Sequence, residues 1–180
     1  EQGWTLSHFR AALGEGPQRL ILLSTLKLSI IVAIASVALG YPVAYFLAHR
    51  SPRQQRMLLL LILTPLWVSV LIRTYSWIVV LGREGLVNSF LVATGLTTQP
   101  LTLLYTRGAV YAAMVQVLMP IAILTMFSAM SSINPSLRNA ARILGASPSR
   151  AFYHVFLPLS AAGALSAGVL TFILALGFFI

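Results

Sequence analysis

Apolar residues fall in four long blocks along this chain, at residues 20–48, 57–81, 109–130 and 159–180, and polar residues collect between them. A helix needs about 20 residues to cross the hydrocarbon core of a bilayer, at 1.5 Å per residue. Each block meets that length. Lipid offers the backbone no hydrogen-bond partners, so spanning segments of this kind fold as helices. The pattern predicts an all-α, polytopic bundle with four membrane-spanning helices in a single domain over 1–180. Residues 1–19 are expected to be an external segment, punctuated by Gly14, Gly16 and Pro17, and residues 131–158 a cytoplasmic loop. The first block is too long for a signal-peptide core and lacks a small-residue cleavage site. Between the second and third blocks, Leu86, Val87, Phe90 and Leu91 recur at helical spacing, predicting a short amphipathic piece in the membrane interface. The last block reaches Ile180 without a flanking loop and the chain opens at Glu1 with no Met, so both ends read as cut.

Composition agrees with the pattern. Of the 180 residues, 58% are hydrophobic and 8% charged, against roughly 45–50% and 25% in soluble domains. The only acids are Glu1, Glu15 and Glu84, which excludes a catalytic carboxylate pair and an acidic metal cage. With no Cys there is no disulfide framework, thiolate metal site or Cys nucleophile. His8, His49 and His154 stand alone in loops, without partners at metal-ligand spacing. The net charge of +9 does not mark a nucleic-acid surface, because the basic residues lie between apolar runs and form no patch. It records topology instead. Arg50, Arg53, Arg56, Arg138, Arg142 and Arg150 lie on one side, and Arg10, Arg19, Arg83 and Arg107 on the other. That bias places the loops 49–56 and 131–158 in the cytoplasm.

Two cations fall inside the blocks. Lys27 has a stem long enough to snorkel to the outer headgroups. Arg73 sits roughly 12 Å along the helix from Leu81, and it either anchors the helix or lines a polar cavity. Tyr75 and Trp77 belong to an aromatic belt or stack on a cationic solute. Pro42, Pro65 and Pro120 can kink their helices, and Gln116 is expected to bond a neighbouring helix. No block contains Asp, Glu or His, which goes against a proton- or sodium-coupled carrier. Ser has no base placed to activate it, so no catalytic residue is assigned.

The loop 131–158 carries the most information. Asn134 and Pro135 suit the start of a helix. Leu137, Ala140, Ala141 and Leu144 give that helix one small apolar face, with Arg138 and Arg142 on its flank. Gly145 can end it in the left-handed conformation. Ser147 and Pro148 then open a second helix, with Phe152, Val155 and Phe156 on one side, leading to Leu157 and Pro158. A short helix, a Gly turn and a second helix suit a surface that docks into a groove on a partner.

The run Asn139-Ala140-Ala141, then Gly145, then Val155-Phe156-Leu157-Pro158 resembles the EAA loop of permease subunits of ATP-binding-cassette importers. The family pattern is Glu-Ala-Ala, three residues, Gly, nine residues and Ile-x-Leu-Pro, and every spacing matches. Asn139 replaces the usual Glu, and Val155 replaces Ile. The runs from Gly40 to Ala48, Arg73 to Asn88 and Ala175 to Ile180 further resemble the first permease subunit of spermidine/putrescine importers. Such permeases have six membrane helices, so the resemblance implies that this chain holds the second to fifth. It implies a bacterial inner-membrane location and alternating access. It also implies a dimer of ATPase subunits carrying ATP and Mg, a second permease subunit and an external solute-binding protein. This chain itself would hold no cofactor and no metal. The resemblance assigns ATPase coupling to Asn139, Ala140, Ala141, Gly145, Leu157 and Pro158, and the charge balance adds Arg138 and Arg142 as candidates for touching the ATPase. Arg73, Tyr75, Trp77 and Glu84 are the candidates for the solute pathway. Polyamines are the first expectation for cargo, although Arg73 would repel a polycation if it faced the pathway. An opine, an amino-acid derivative or another small organic solute is the alternative within the class.

Overall fold

The computed structural model describes residues 17–178. The segment expected to be external, with Glu1, His8, Arg10 and Glu15, lies outside the described residues apart from its last few positions. Every regular element among the described residues is helical. In chain order these are α1 (Pro17–Ala48), α2 (Pro52–Trp67), α3 (Val70–Leu81), α4 (Leu86–Ala93), α5 (Arg107–Ser131), α6 (Pro135–Ile143), α7 (Pro148–Ala151), a π-helical turn (Phe152–Phe156) and α8 (Leu157–Gly177). Four helical stretches are long and apolar enough to cross a membrane: Arg19–Ala48, Val70–Ala93, Arg107–Ser131 and Pro148–Gly177.

Helices α1, α5 and α8 pack pairwise into the core. Their direction follows from the contacts. Val32 clusters with Met114 and Leu118, and Ala44 clusters with Ile123 and Met126, so α1 and α5 run the same way. Ala175 joins the first cluster and Ala167 the second, so α8 runs opposite to both. The contact is close because small residues line it, the usual solution where lipid supplies no hydrophobic drive between helices. A methyl group added at Gly163 would collide with the Ala129 side chain, and one at Gly40 would lie 3.1 Å from Ile123 Cγ1. Two buried hydroxyls bond within their own helices, Ser29 Oγ donating to Thr25 O at 2.9 Å and Thr171 Oγ1 to Ala167 O at 2.7 Å, whereas the buried Ser36 Oγ has no partner among the described residues. Tyr41 and Ser160 tie α1 to α8 through their hydroxyls at 2.6 Å.

Because α1 and α5 are parallel, the chain between them must climb back across the bundle. It does so along α5. Ile62 of α2 packs against the cluster that includes Met126 and Met130 of α5, while Trp77 of α3 meets Gln116 nearer the start of the same helix. The second apolar block is therefore not the single helix its pattern suggests. It breaks at Val68 and Ser69, both extended with ψ of 133° and 139°. Pro65 lies one turn before the break, lacks an N–H and crowds the carbonyl four residues back. Neither α2 nor α3 contains a buried residue, so packing does not hold the helix straight. The amphipathic piece expected after the second block forms as α4. Asn88, buried within that segment, donates from Nδ2 to Gly82 O and to Leu101 O, both at 2.9 Å, and accepts from Leu101 N at 2.8 Å.

Candidate functional site

Two places gather the candidate residues. The first is the loop that joins α5 to α8. Asn134 caps α6, its Oδ1 accepting from Ser136 N at 2.9 Å, and Pro135 takes the first helical position. The helix ends in a Schellman motif: Ala146 N donates to Ala141 O and Gly145 N to Arg142 O, each at 3.0 Å. That closure places residue 145 at φ +88°, the left-handed region where a Cβ is strained and Gly is not. The effect is to hold the end of α6 away from the bundle. Ile143 and Leu144 stand there 86% and 87% exposed. Asn139, Ala140 and Arg142 are also exposed, whereas Ala141 and Arg138 are half-buried.

Ser147 Oγ accepts from Arg150 N at 3.3 Å and starts α7, which runs without a gap through the π-helical turn into α8. The turn has a clear cause. Pro158 has no N–H for the carbonyl four residues back, and one wide turn before it absorbs the mismatch, with Leu157 N donating to Phe152 O. Leu157 is half-buried and Pro158 exposed at the start of α8. Phe152 and Phe156, on the wide turn, meet Tyr45 edge-on with ring centroids 5.3 and 5.0 Å apart. His49 joins them, 4.3 Å from the Tyr45 ring and 5.5 Å from Phe156. This aromatic knot bolts the loop to the end of α1. Arg138 lines a cleft of about 150 Å³ beside it, with Tyr45, Arg142 and Phe152. Glu84 is the only carboxylate among the described residues and lies elsewhere, so these arginines have no acid partner among the described residues.

The second place is a cleft of about 270 Å³ at the break between α2 and α3, lined by Pro65, Val68, Arg73, Ser76, Trp77 and Gln116 among others. The guanidinium of Arg73 donates to Pro65 O and, at 3.2 Å, to Val68 O. It thereby caps the carbonyls where α2 stops, Pro65 O also accepting from Val68 N at 3.4 Å, and offsets the negative end of that helix. Its Nε has no partner among the described residues. Trp77 Nε1 donates to Gln116 Oε1 at 3.1 Å, fixing α3 to α5. The structure thus unites Arg73 and Trp77 but not the other two pathway candidates. Tyr75 is 67% exposed on another face of α3, and Glu84 is exposed in the turn after α3; neither lines the cleft. Among the described residues no group of three or more His, Asp or Glu could hold a metal ion.

Sequence reasoning missed three features. The aromatic knot was visible as Tyr45 and His49, and Phe152 and Phe156, each pair four apart. Asn88 as a staple had no local signal, because its partner Leu101 lies beyond α4. The helix break had Pro65 as its only marker.

Known proteins with this arrangement decide what it belongs to. Residues 40–180 match the family model for the binding-protein-dependent transport system inner membrane component. The chain belongs to that family. It is 33% identical over 159 residues to the spermidine/putrescine transport system permease protein PotB of Escherichia coli (strain K12), covering 88% of this chain and 58% of the relative. Against the protein of the same name from Haemophilus influenzae the figures are 35% over 156 residues, 87% and 54%. The chain therefore spans less than two thirds of the relatives' length. Among solved structures, a bacterial ABC transporter involved in import of the acidic polysaccharide alginate superposes with a TM-score of 0.73 at 19% identity, covering 95% of this chain and 62% of that one. The matched family and the four apolar stretches make this a multi-pass inner-membrane transport protein.

Proposed function

We propose that this chain forms half of the translocation pathway of an ATP-driven importer and receives the ATPase on the end of α6. The observation that carries the proposal is the exposed Ile143–Leu144 tip, held off the bundle by the Gly145 turn and flanked by arginines that have no acid partner among the described residues. An apolar tip outside the membrane, ringed by cations, fits a groove with an apolar floor and an acidic rim. ATP and Mg would reside on that partner subunit, and an external binding protein would deliver the solute. A second permease subunit would complete the pathway. This chain would make and break no covalent bond.

The path for force is continuous. Closure of the ATPases moves α6; the Schellman turn passes the motion to α7 and the wide turn, which lead into α8, while the knot of Tyr45, Phe152 and Phe156 carries it to α1. Core helices packed on small residues respond as a rigid body, and the equilibrium shifts by the difference in contacts between the two states.

Polyamine cargo is supported by the named relatives. Within the cleft, Trp77 offers an indole face to an ammonium group, and Arg73 directs donors into the carbonyls of α2. The cationic Arg73 beside that cleft favours a second reading, in which another small organic solute is carried. ATP-dependent accumulation of labelled spermidine by the assembled importer in proteoliposomes, supplied with its binding protein, tests the choice. Accumulation stopped by inactivating the ATPase supports the polyamine reading, and failure with spermidine alongside uptake of another solute overturns it.

A further inference from the structure

We propose that the cleft between the end of α1 and the first turns of α2 is a binding site for an anionic phospholipid. The cleft measures about 550 Å³ and is walled by Phe46, Met57, Leu61 and Thr64, with Arg50 and Gln54 at its rim. Away from the rim the wall is apolar except for Thr64, whose Oγ1 donates to Leu60 O at 2.8 Å. It lies open at the surface beside the end of the span Arg19–Ala48, with Met57 and Leu61 largely exposed.

The rim carries charge of one sign only. Arg50, Arg53 and Arg56 fall within two turns, and the described residues contain no carboxylate there. The guanidinium of Arg50 lies flat on the Phe46 ring, with Cζ 3.9 Å from the centroid. Stacking uses the face of the group and leaves its in-plane N–H donors free, in the fork that matches a phosphate. No protein acceptor among the described residues takes them. The turn that presents them is built, not loose: Gln55 Nε2 donates to Leu47 O at 3.2 Å and Arg50 O at 3.0 Å, and Gln54 Oε1 accepts from Ser51 N at 3.4 Å. That last bond leaves the Gln54 NH2 as a further donor at the rim.

An apolar slot in the bilayer, closed at its aqueous end by fixed donors and uncompensated positive charge, is complementary to one amphiphile: an acyl chain carrying a phosphate headgroup. A helix from another subunit would fill the slot but would leave the Arg50 fork unused. A neutral zwitterionic lipid would fill it with less electrostatic gain. Charge complementarity therefore selects the anionic lipid.

Native mass spectrometry of the assembled importer, titrated with phosphatidylglycerol or phosphatidylcholine, tests the site. The wild type should retain phosphatidylglycerol in preference to phosphatidylcholine. Arg50→Gln should weaken phosphatidylglycerol retention about five-fold, the effect of one basic residue at a membrane surface, and R50Q with R53Q further still. Met57→Trp, which fills the slot and keeps the charges, should also displace the lipid. R107Q removes a cation far from the cleft and should change nothing. Equal retention of both lipids by the wild type would overturn the proposal, as would unchanged retention in both R50Q and M57W.

Discussion

The core of α1, α5 and α8 and the arm of α2 and α3 cross the same protein by different means. In the core, buried Ala, Gly and Ser let helices touch, and Ala44, Ala122, Ala167 and Ala175 have no exposed surface at all. In the arm nothing is buried; the helix breaks, and polar bonds hold it, from Arg73 to the open carbonyls and from Trp77 to Gln116. Shape holds the core and chemistry holds the arm. A packed interface has few alternative arrangements, while a hydrogen-bonded joint can exchange partners at small cost. In the proposed mechanism the arm is the part that shifts as the core moves as a unit.

The difference is testable from its strong end to its weak one. Gly163→Leu, which drives a side chain into Ala129, should cost the assembled protein roughly 1–3 kcal/mol or more, read as a large fall in melting temperature. A core that accepted it would not be held by shape. Arg73→Leu leaves the Val68 carbonyl without its partner and Pro65 O with only the 3.4 Å bond from Val68 N, at roughly 1–3 kcal/mol for an unsatisfied group. Arg73→Lys should recover part of that loss, since an ammonium can reach one carbonyl but lacks the fork. If both variants melt like the wild type, the joint is not held by that bond. Gly145→Val forces a branched residue into the left-handed region, at about 1–2 kcal/mol. Its penalty should appear as lost ATPase retention, with membrane insertion unchanged. The smallest effect belongs to Trp77→Phe, which removes one interhelical hydrogen bond of about 0.6 kcal/mol. A larger loss would mean that the arm depends on Trp77 for packing as well.

The blocks at 20–48 and 109–130 were legible because hydropathy and length suffice for continuous helices. Their mutual arrangement was not, since every face of such a helix is apolar and the small residues that select a partner are spread along it. The second block misled for the same reason: a hydropathy run cannot register that Pro65 and a distant arginine favour an interrupted helix. The last block begins earlier than its apolar run, because the polar stretch from Pro148 folds as helix and is anchored by Tyr45. In the loop, caps and the Gly145 turn were readable from single residues, each acting on its nearest neighbours. The cleft needed Gln116, which lies 39 positions from Trp77, and only the fold brings the two together.

Docking on the α6 tip is the centre of the functional account, and its most direct test is retention of the ATPase by a tip variant. Ile143→Asp with Leu144→Asp changes two fully presented side chains and leaves the Schellman turn and the aromatic knot in place. After affinity purification from membranes, the variant chain is expected at its normal level with its ATPase lost. ATPase retained at the wild-type ratio would contradict the account.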